Sequence, residues 1–255
     1  MRTQRGGGIP APSALARLLE ESERTVVLTG AGISVPSGIP DFRSPGTGIW
    51  ENVNPFEVAS IEAFHRDTKR FWDFYRPRFE VLGDKRPNPA HEALAELEQR
   101  GIVEAVVTQN IDRLHQRAGS QRVIEVHGSI GSSSCTACGA SWPLEEVADL
   151  FGEDGIATCT GCTGKVKPDV VLFGELLPEA AMNEARELAS GAELMLCIGS
   201  SLEVYPVAGL PALTLAEGGR VAIVTQGPTP YDGDAAVRMH GDVVEELTAV
   251  LEALG

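Results

Sequence analysis

The chain has 255 residues, 43% of them apolar, and a net charge of −15. That length suits one large α/β domain, or a large domain with a small one inserted. The acidity argues against holding nucleic acid by its phosphates and favours basic peptides, although solubility alone accounts for it equally well, and no apolar run approaches the 18 residues of a membrane span.

The start, MRTQRGGGIPAPS, has no apolar segment of the secretory kind and reads as a flexible tail over residues 1–10, so a cytoplasmic location is expected. Ser13 is placed to cap a helix with Leu15, Leu18 and Leu19 on one face. The runs at 24–30, 103–109, 123–128, 170–174, 193–201 and 220–227 read as strands. Most are continuously apolar, as parallel strands covered on both faces should be. Asn88-Pro89 opens a helix that stops at Gly101; Pro178 and Pro206 open two more. Asp242 caps the last, with Val243, Val244, Leu247, Val250 and Leu251 as its apolar stripe. The alternation predicts a doubly wound, Rossmann-like α/β fold with a six-stranded parallel sheet. Residues 39–85, rich in Phe, Trp and Arg, and residues 129–168, with four of the five cysteines, break the rhythm and read as insertions.

Cys135-x2-Cys138 is followed, after twenty residues, by Cys159-x2-Cys162. Two such knuckles, eased by Gly139 and Gly161, can complete a tetrahedron of thiolates around one structural Zn2+. Four thiolates leave no open position for catalysis. Two disulfides are the alternative, which a reducing compartment disfavours. Cys197, inside an apolar strand, reads as a core filler.

The first strand leads into Gly30-Ala31-Gly32, a turn that can bring backbone N–H groups to a diphosphate. The third glycine of the usual fingerprint is replaced by Val35, and an ordinary glycine turn remains open. Arg43 can pair with phosphate oxygens and Phe42 can cover a flat ring. A second strand runs directly into Thr108, Gln109, Asn110 and Asp112. Buried polar groups without partners cost about 1–3 kcal/mol each, so something must meet them.

The stretches GAGISVPSGIPDFR, TQNIDRLHQRAG, VHGS, the paired knuckles, KPDVVLFGE and GSSLEVYP occur in an order that resembles the sirtuins, NAD-dependent protein-lysine deacylases. The likeness covers residues 13 to 252. It implies NAD contacts from Gly30, Ala31, Gly32, Val35, Phe42 and Arg43. It implies a nicotinamide-ribose pocket of Gln109, Asn110, Ile111 and Asp112, and an adenosine side of Gly199, Ser200, Ser201, Thr225, Asp242 and Val243. His127 would be the catalytic base and a cofactor contact, with Asn110 and Asp112 as its catalytic partners. Val171, Phe173, Gly174 and Glu175 would border the acyl-lysine peptide, laid in as an added strand. The polar row would then be satisfied by cofactor, water and carboxamide. Residues 1–38, 86–128 and 169–255 would form the NAD-binding domain, 39–85 a helical insertion and cofactor loop, and 129–168 the zinc module.

The implied reaction is deacetylation of protein lysine, yielding nicotinamide and 2′-O-acetyl-ADP-ribose. The implied partners are acyl-lysine proteins or peptides, with no nucleic acid and no membrane. Thr225 stands where many sirtuins have Asn, and offers fewer donors. Tyr75 and Arg78 have the Tyr-x-x-Arg spacing of sirtuins that remove succinyl or malonyl groups, but Pro77 between them is expected to kink that helix. Asp41 instead resembles the deacetylases, so acetyl-lysine is the expected substrate. ADP-ribosyl transfer, NAD hydrolysis and a zinc-ribbon module that senses NAD are the competing readings. His91 and His115 lie in helical patterns and read as structural.

Overall fold

The computed structural model describes residues 9–41 and 54–255. Helix α1 (Ala11–Glu21) buries Leu15, Ala16 and Leu19. Its cap is Pro10, not Ser13. The helix starts earlier because the first turn leaves N–H groups unpaired in any case, so prolines at 10 and 12 lose nothing there. Strand β1 (Thr25–Thr29) is wholly buried. Helices α2 (Pro55–Val58), α3 (Ile61–Arg66), α4 (Thr68–Asp84) and α5 (Pro89–Gln99) follow. Then come β2 (Ala105–Thr108), α6 (Leu114–Ala118) and β3 (Val123–Glu125). A smaller part holds β4 (Gly128–Cys135), β5 (Ser141–Pro143), α7 (Leu144–Val147) and β6 (Val166–Val170). The chain ends with α8 (Glu179–Gly191), β7 (Leu194–Ile198), α9 (Leu210–Ala216), β8 (Arg220–Val224), β9 (Val237–Met239) and α10 (Val243–Leu254).

Among the described residues the main sheet has six strands in the order β3-β2-β1-β7-β8-β9, all parallel. Alternate residues feed two cores. Val27, Val106, Leu196 and Ala222 face α1, α5 and α10, while Val26, Leu28, Val107 and Met195 face α8 and α9. The strand order reverses between β1 and β7, and such a switch point opens a crevice at the strands' carboxyl ends.

Two expectations change. The run at 170–174 is not a strand of this sheet: Val170 ends β6, which pairs antiparallel with β4 in a three-stranded sheet of order β5-β4-β6. The sixth strand is β9 instead. An apolar run says that a segment is buried, not which sheet it joins. Pro77, expected to kink its helix, lies inside a continuous α4. A proline inside a helix costs about 3 kcal/mol. Phe71, Trp72 and Phe79 on the same helix are buried, at about 1.5–3 kcal/mol each, which outweighs it. They form a third core with Phe64, Ile130, Val147, Leu150 and Val166, so α3 and α4 pack against the small sheet. The Trp72 indole donates to Val166 O at 3.2 Å.

Candidate active site

At the switch point two glycine backbones touch. Gly32 N donates to Gly199 O at 2.8 Å, and Gly30 N to Ile198 O at 3.0 Å. A Cβ on Gly32 would lie 2.7 Å from Gly199 Cα, and Gly199 itself is left-handed at φ +61°. No side chain fits at either position. Instead of a plain helix, two short 3-10 turns follow, Ala31–Ile33 and Val35–Ser37. Val35 is exposed, Ser200 is buried beside Gly30, and Ser201 is exposed. Thr225 follows β8, and Asp242 caps α10 by accepting from Val244 N at 2.8 Å. Phe42 and Arg43 lie outside the described residues.

The polar row after β2 is met largely by the protein itself. The Thr29 hydroxyl donates to Thr108 Oγ1 at 2.8 Å, and Asn110 N donates to the same oxygen. Asn110 Nδ2 donates to Gly30 O and to Ser34 Oγ, both at 3.1 Å. The Ser34 hydroxyl donates to Asp112 Oδ2 at 2.7 Å, and Leu114 N to Asp112 Oδ1 at 2.9 Å. Gln109 Nε2 donates to Ser200 Oγ at 3.0 Å. The loop is thus bound to the glycine turn and to the end of β7. Burial raises the Asp112 carboxyl above its ordinary value, opposed by the Leu114 N–H and the Ser34 hydroxyl.

Ser34 escaped the sequence reading. Its only signal was a small polar residue directly after a glycine turn. Behind it, His91 Nε2 lies 3.4 Å from Ser34 Oγ, and the His91 and His115 rings are 4.9 Å apart. Burial pushes His91 down to about 4 and His115 to about 3, so both are neutral imidazoles of the interior.

His127 lies across the loop, with Nδ1 3.0 Å from Gln109 O. A carbonyl only accepts, so Nδ1 carries the proton and Nε2 is the basic nitrogen. Burial lowers the His127 pKa, opposed by that hydrogen bond, and the net lowering leaves the ring neutral near pH 7. His127 O accepts from Val171 N at 2.8 Å, and Ile111 O accepts from Ile130 N at 3.0 Å. The stretch 171–175 therefore begins beside the histidine. Phe173 N donates to Ala59 O, Ile61 N donates to Phe173 O, and Gly174 is left-handed at φ +89°. Lys167 Nζ donates to Pro168 O, to Val170 O and, at 3.1 Å, to Glu175 Oε2, which also accepts from Leu172 N.

Tyr75 and Arg78 both lie against the Phe74 ring. Tyr75 stacks between Phe71 and Phe79, and burial raises its hydroxyl pKa. Arg78 is exposed, with its guanidinium 3.6 Å from the Phe74 ring centroid and a donor on Phe74 O.

The sulfur atoms of Cys135, Cys138, Cys159 and Cys162 all lie within 4.8 Å of one another. The nearest pairs, Cys135–Cys162 at 3.5 Å and Cys138–Cys159 at 3.7 Å, are far beyond a disulfide bond. Ala137 N donates to Cys135 Sγ and Gly161 N to Cys159 Sγ, the N–H pattern that stabilises thiolates. The Cys138 and Ala137 N–H groups pull Cys135 down to about 6. The donor set fits a metal ion. Gly139 takes the left-handed turn of the first knuckle, but in the second that conformation falls on Thr163 and not on Gly161. Cys197 is buried in β7 as expected of a core filler.

A model of the Sir2 family matches residues 30–206. The chain belongs to the Sir2 family. It is 45% identical over 238 residues to the NAD-dependent protein deacetylase of Thermotoga maritima, covering 93% of this chain and 96% of that one. It is also 45% identical over 238 residues to NAD-dependent protein deacylase 2 of Archaeoglobus fulgidus, covering 93% of each. Its structure is similar to that of a Sir2 protein solved with a p53 peptide and NAD+, at TM-score 0.86 and 44% identity over 93% of this chain and 96% of that one. In this Sir2 chain the glycine turn and the polar loop come together at the sheet's switch point.

Proposed function

We infer that the chain is an NAD-dependent protein-lysine deacetylase. The observation that carries this is the convergence of Asn110 and Asp112, bound to the glycine turn at the sheet's switch point, with His127, which meets Gln109 of the same loop. In the reaction the acyl oxygen of the modified lysine attacks C1′ of the nicotinamide ribose and nicotinamide leaves; the ribose 2′-oxygen then attacks the imidate carbon, and one water completes the release of lysine with the acetyl group left on the ribose. Asp112, held by Ser34 and Leu114 N, orients the departing carboxamide. Asn110 holds the ribose hydroxyls. His127, with Nε2 basic, takes a proton from those hydroxyls, a task suited to a neutral imidazole. Val171, Phe173, Gly174 and Glu175 form the peptide's wall, with Gln109, Gly199, Ser200, Ser201, Thr225, Asp242 and Val243 along the nucleotide.

The metal that suits four thiolates is zinc, held by Cys135, Cys138, Cys159 and Cys162 in a closed structural site. Such thiols suit a reducing compartment, the cytoplasm. No helix among the described residues is long and apolar enough to cross a membrane. Acetyl-lysine is preferred over succinyl-lysine, because the Arg78 guanidinium is exposed and laid over the Phe74 ring.

The test is incubation with NAD and acetylated or succinylated peptide, reading 2′-O-acetyl-ADP-ribose by mass and kcat/KM for each peptide. The expected result is acyl-dependent NAD consumption, faster with acetyl. Consumption independent of peptide would point to NAD hydrolysis. A succinyl preference lost in Arg78→Ala would reverse the acyl assignment.

A further inference from the structure

Arg238 sits in the middle of β9, the last strand of the main sheet, with its side chain only 11% exposed. The guanidinium is engaged on every side. Nε donates to Asp232 Oδ1 at 2.8 Å. Nη1 donates to Thr225 O at 2.6 Å and to Met239 O, and Nη2 to Gly227 O. Asp232 Oδ1 also accepts from the Thr229 hydroxyl at 2.7 Å, and Thr229 Oγ1 accepts from Tyr231 N. Thr225 N donates to Met239 O at 3.1 Å. One side chain therefore ties both ends of the loop 225–232 to the end of β9.

The loop has little else to hold its first half. Gln226, Gly227 and Pro228 are exposed and belong to no helix or strand. Fixing the backbone of such a loop costs conformational entropy. Hydrogen bonds to a charged group are stronger than neutral ones and offset that cost. The planar five-donor fork of arginine can serve several carbonyls and a carboxylate at once, which a lysine cannot. Turning the Thr225 and Gly227 carbonyls toward Arg238 fixes the backbone at the carboxyl end of β8. Asp242, three residues past Met239, opens α10 beside it.

We propose that Arg238 is a positioning residue for the adenosine end of NAD, clasping the loop 225–232 so that Thr225 and the Asp242 turn form a ready-made wall for the ribose and adenine. This rests on the reading that the nucleotide lies along the carboxyl ends of β1, β7 and β8. Arg238 touches no substrate atom. It removes the ordering cost that binding would otherwise carry. That role matters more here because Thr225 offers fewer donors than an asparagine amide.

The experiment uses the full-length, metal-loaded protein, with calorimetric binding of ADP-ribose and kinetics varied in both NAD and acetyl-lysine peptide. Arg238→Met is expected to weaken ADP-ribose binding and raise KM for NAD about tenfold, a loss of about 1.4 kcal/mol. kcat at saturating NAD and KM for peptide should stay within about twofold. Arg238→Lys should recover part of the loss, keeping the charge without the fork. Asp232→Asn should give a smaller rise in the same constant. An ADP-ribose affinity within twofold of the parent's, or a fall in kcat with KM for NAD unchanged, overturns the proposal. Should Arg238→Met fail to melt cooperatively, Asp232→Asn and Thr229→Val carry the same reading, and unchanged affinity in both overturns it. ADP-ribose binding needs no turnover, so a parent protein that bound it yet showed no acyl-dependent reaction would sink the deacetylase assignment and leave the clasp measurable.

Discussion

The Ser34 hydroxyl donates to Asp112 Oδ2 at 2.7 Å and accepts from Asn110 Nδ2, so one small side chain aligns two residues of the proposed nicotinamide pocket. Ser34→Ala leaves a buried carboxylate oxygen without its donor, at a cost of about 1–3 kcal/mol. The expected outcome is a 10- to 100-fold fall in kcat/KM for NAD with the fold retained, read by steady-state kinetics beside a thermal melt. An unchanged kcat/KM would mean that Asp112 holds its orientation without Ser34.

The base role proposed for His127 requires a neutral ring. Burial lowers its pKa, so the acid limb of kcat/KM should fall below the ordinary histidine value near 6.5. Activity is lost as pH falls through that lowered value. His127→Ala should abolish deacetylation while NAD binding survives. A pH profile whose acid limb lies above 6.5 would assign the titration to another group.

His91 and His115 are buried and neutral, lowered from 6.5 to about 4 and about 3. The unfolded chain binds their protons at higher pH than the folded chain does. Stability is therefore complete above about pH 6.5 and declines from there toward about pH 3. Denaturant melts at pH 7, 6 and 5 read this directly. His91→Gln should flatten the slope; an unaltered slope would place the acid sensitivity elsewhere.

Lys167 and Glu175 fasten the two ends of the stretch 167–175, with side chains only 15% and 23% exposed. Lys167→Met strands the Glu175 carboxylate and frees the Pro168 and Val170 carbonyls. KM for the acetyl peptide should rise several-fold while KM for NAD holds. Equal rises in both would show a general loosening of the crevice.

Cys159→Ala removes one thiolate of four. Metal should be lost and the small sheet should unfold locally, since binding a structural metal is itself folding free energy. Elemental analysis and near-UV circular dichroism check it. Full metal content in the variant would reassign the ligands.

Much of this was legible in the residues, for physical reasons. Continuous apolar runs named five of the six main strands, and the glycine turn and the polar row located the crevice between them. β9 was not legible: three residues with Arg238 at the centre carry no periodic signal. The run at 170–174 was apolar for the sake of a different sheet. Pro77 misled because propensity is local, while Phe71 and Trp72 are buried by distant partners. The polar row was read correctly as needing partners, but Ser34, Gly30 and Ser200 come from elsewhere in the chain, and spacing alone cannot announce them.

Cys135 and Cys159 belong to the same apolar cluster as Phe64, Phe71 and Trp72. The four-sulfur knot thus has no private fate. An oxidant that stripped its thiols would also unseat the helices resting on them, and with Ile130 hydrogen-bonded to Ile111 the damage would arrive one residue from Asp112. Losing the sulfur cluster would thus cost the crevice its footing.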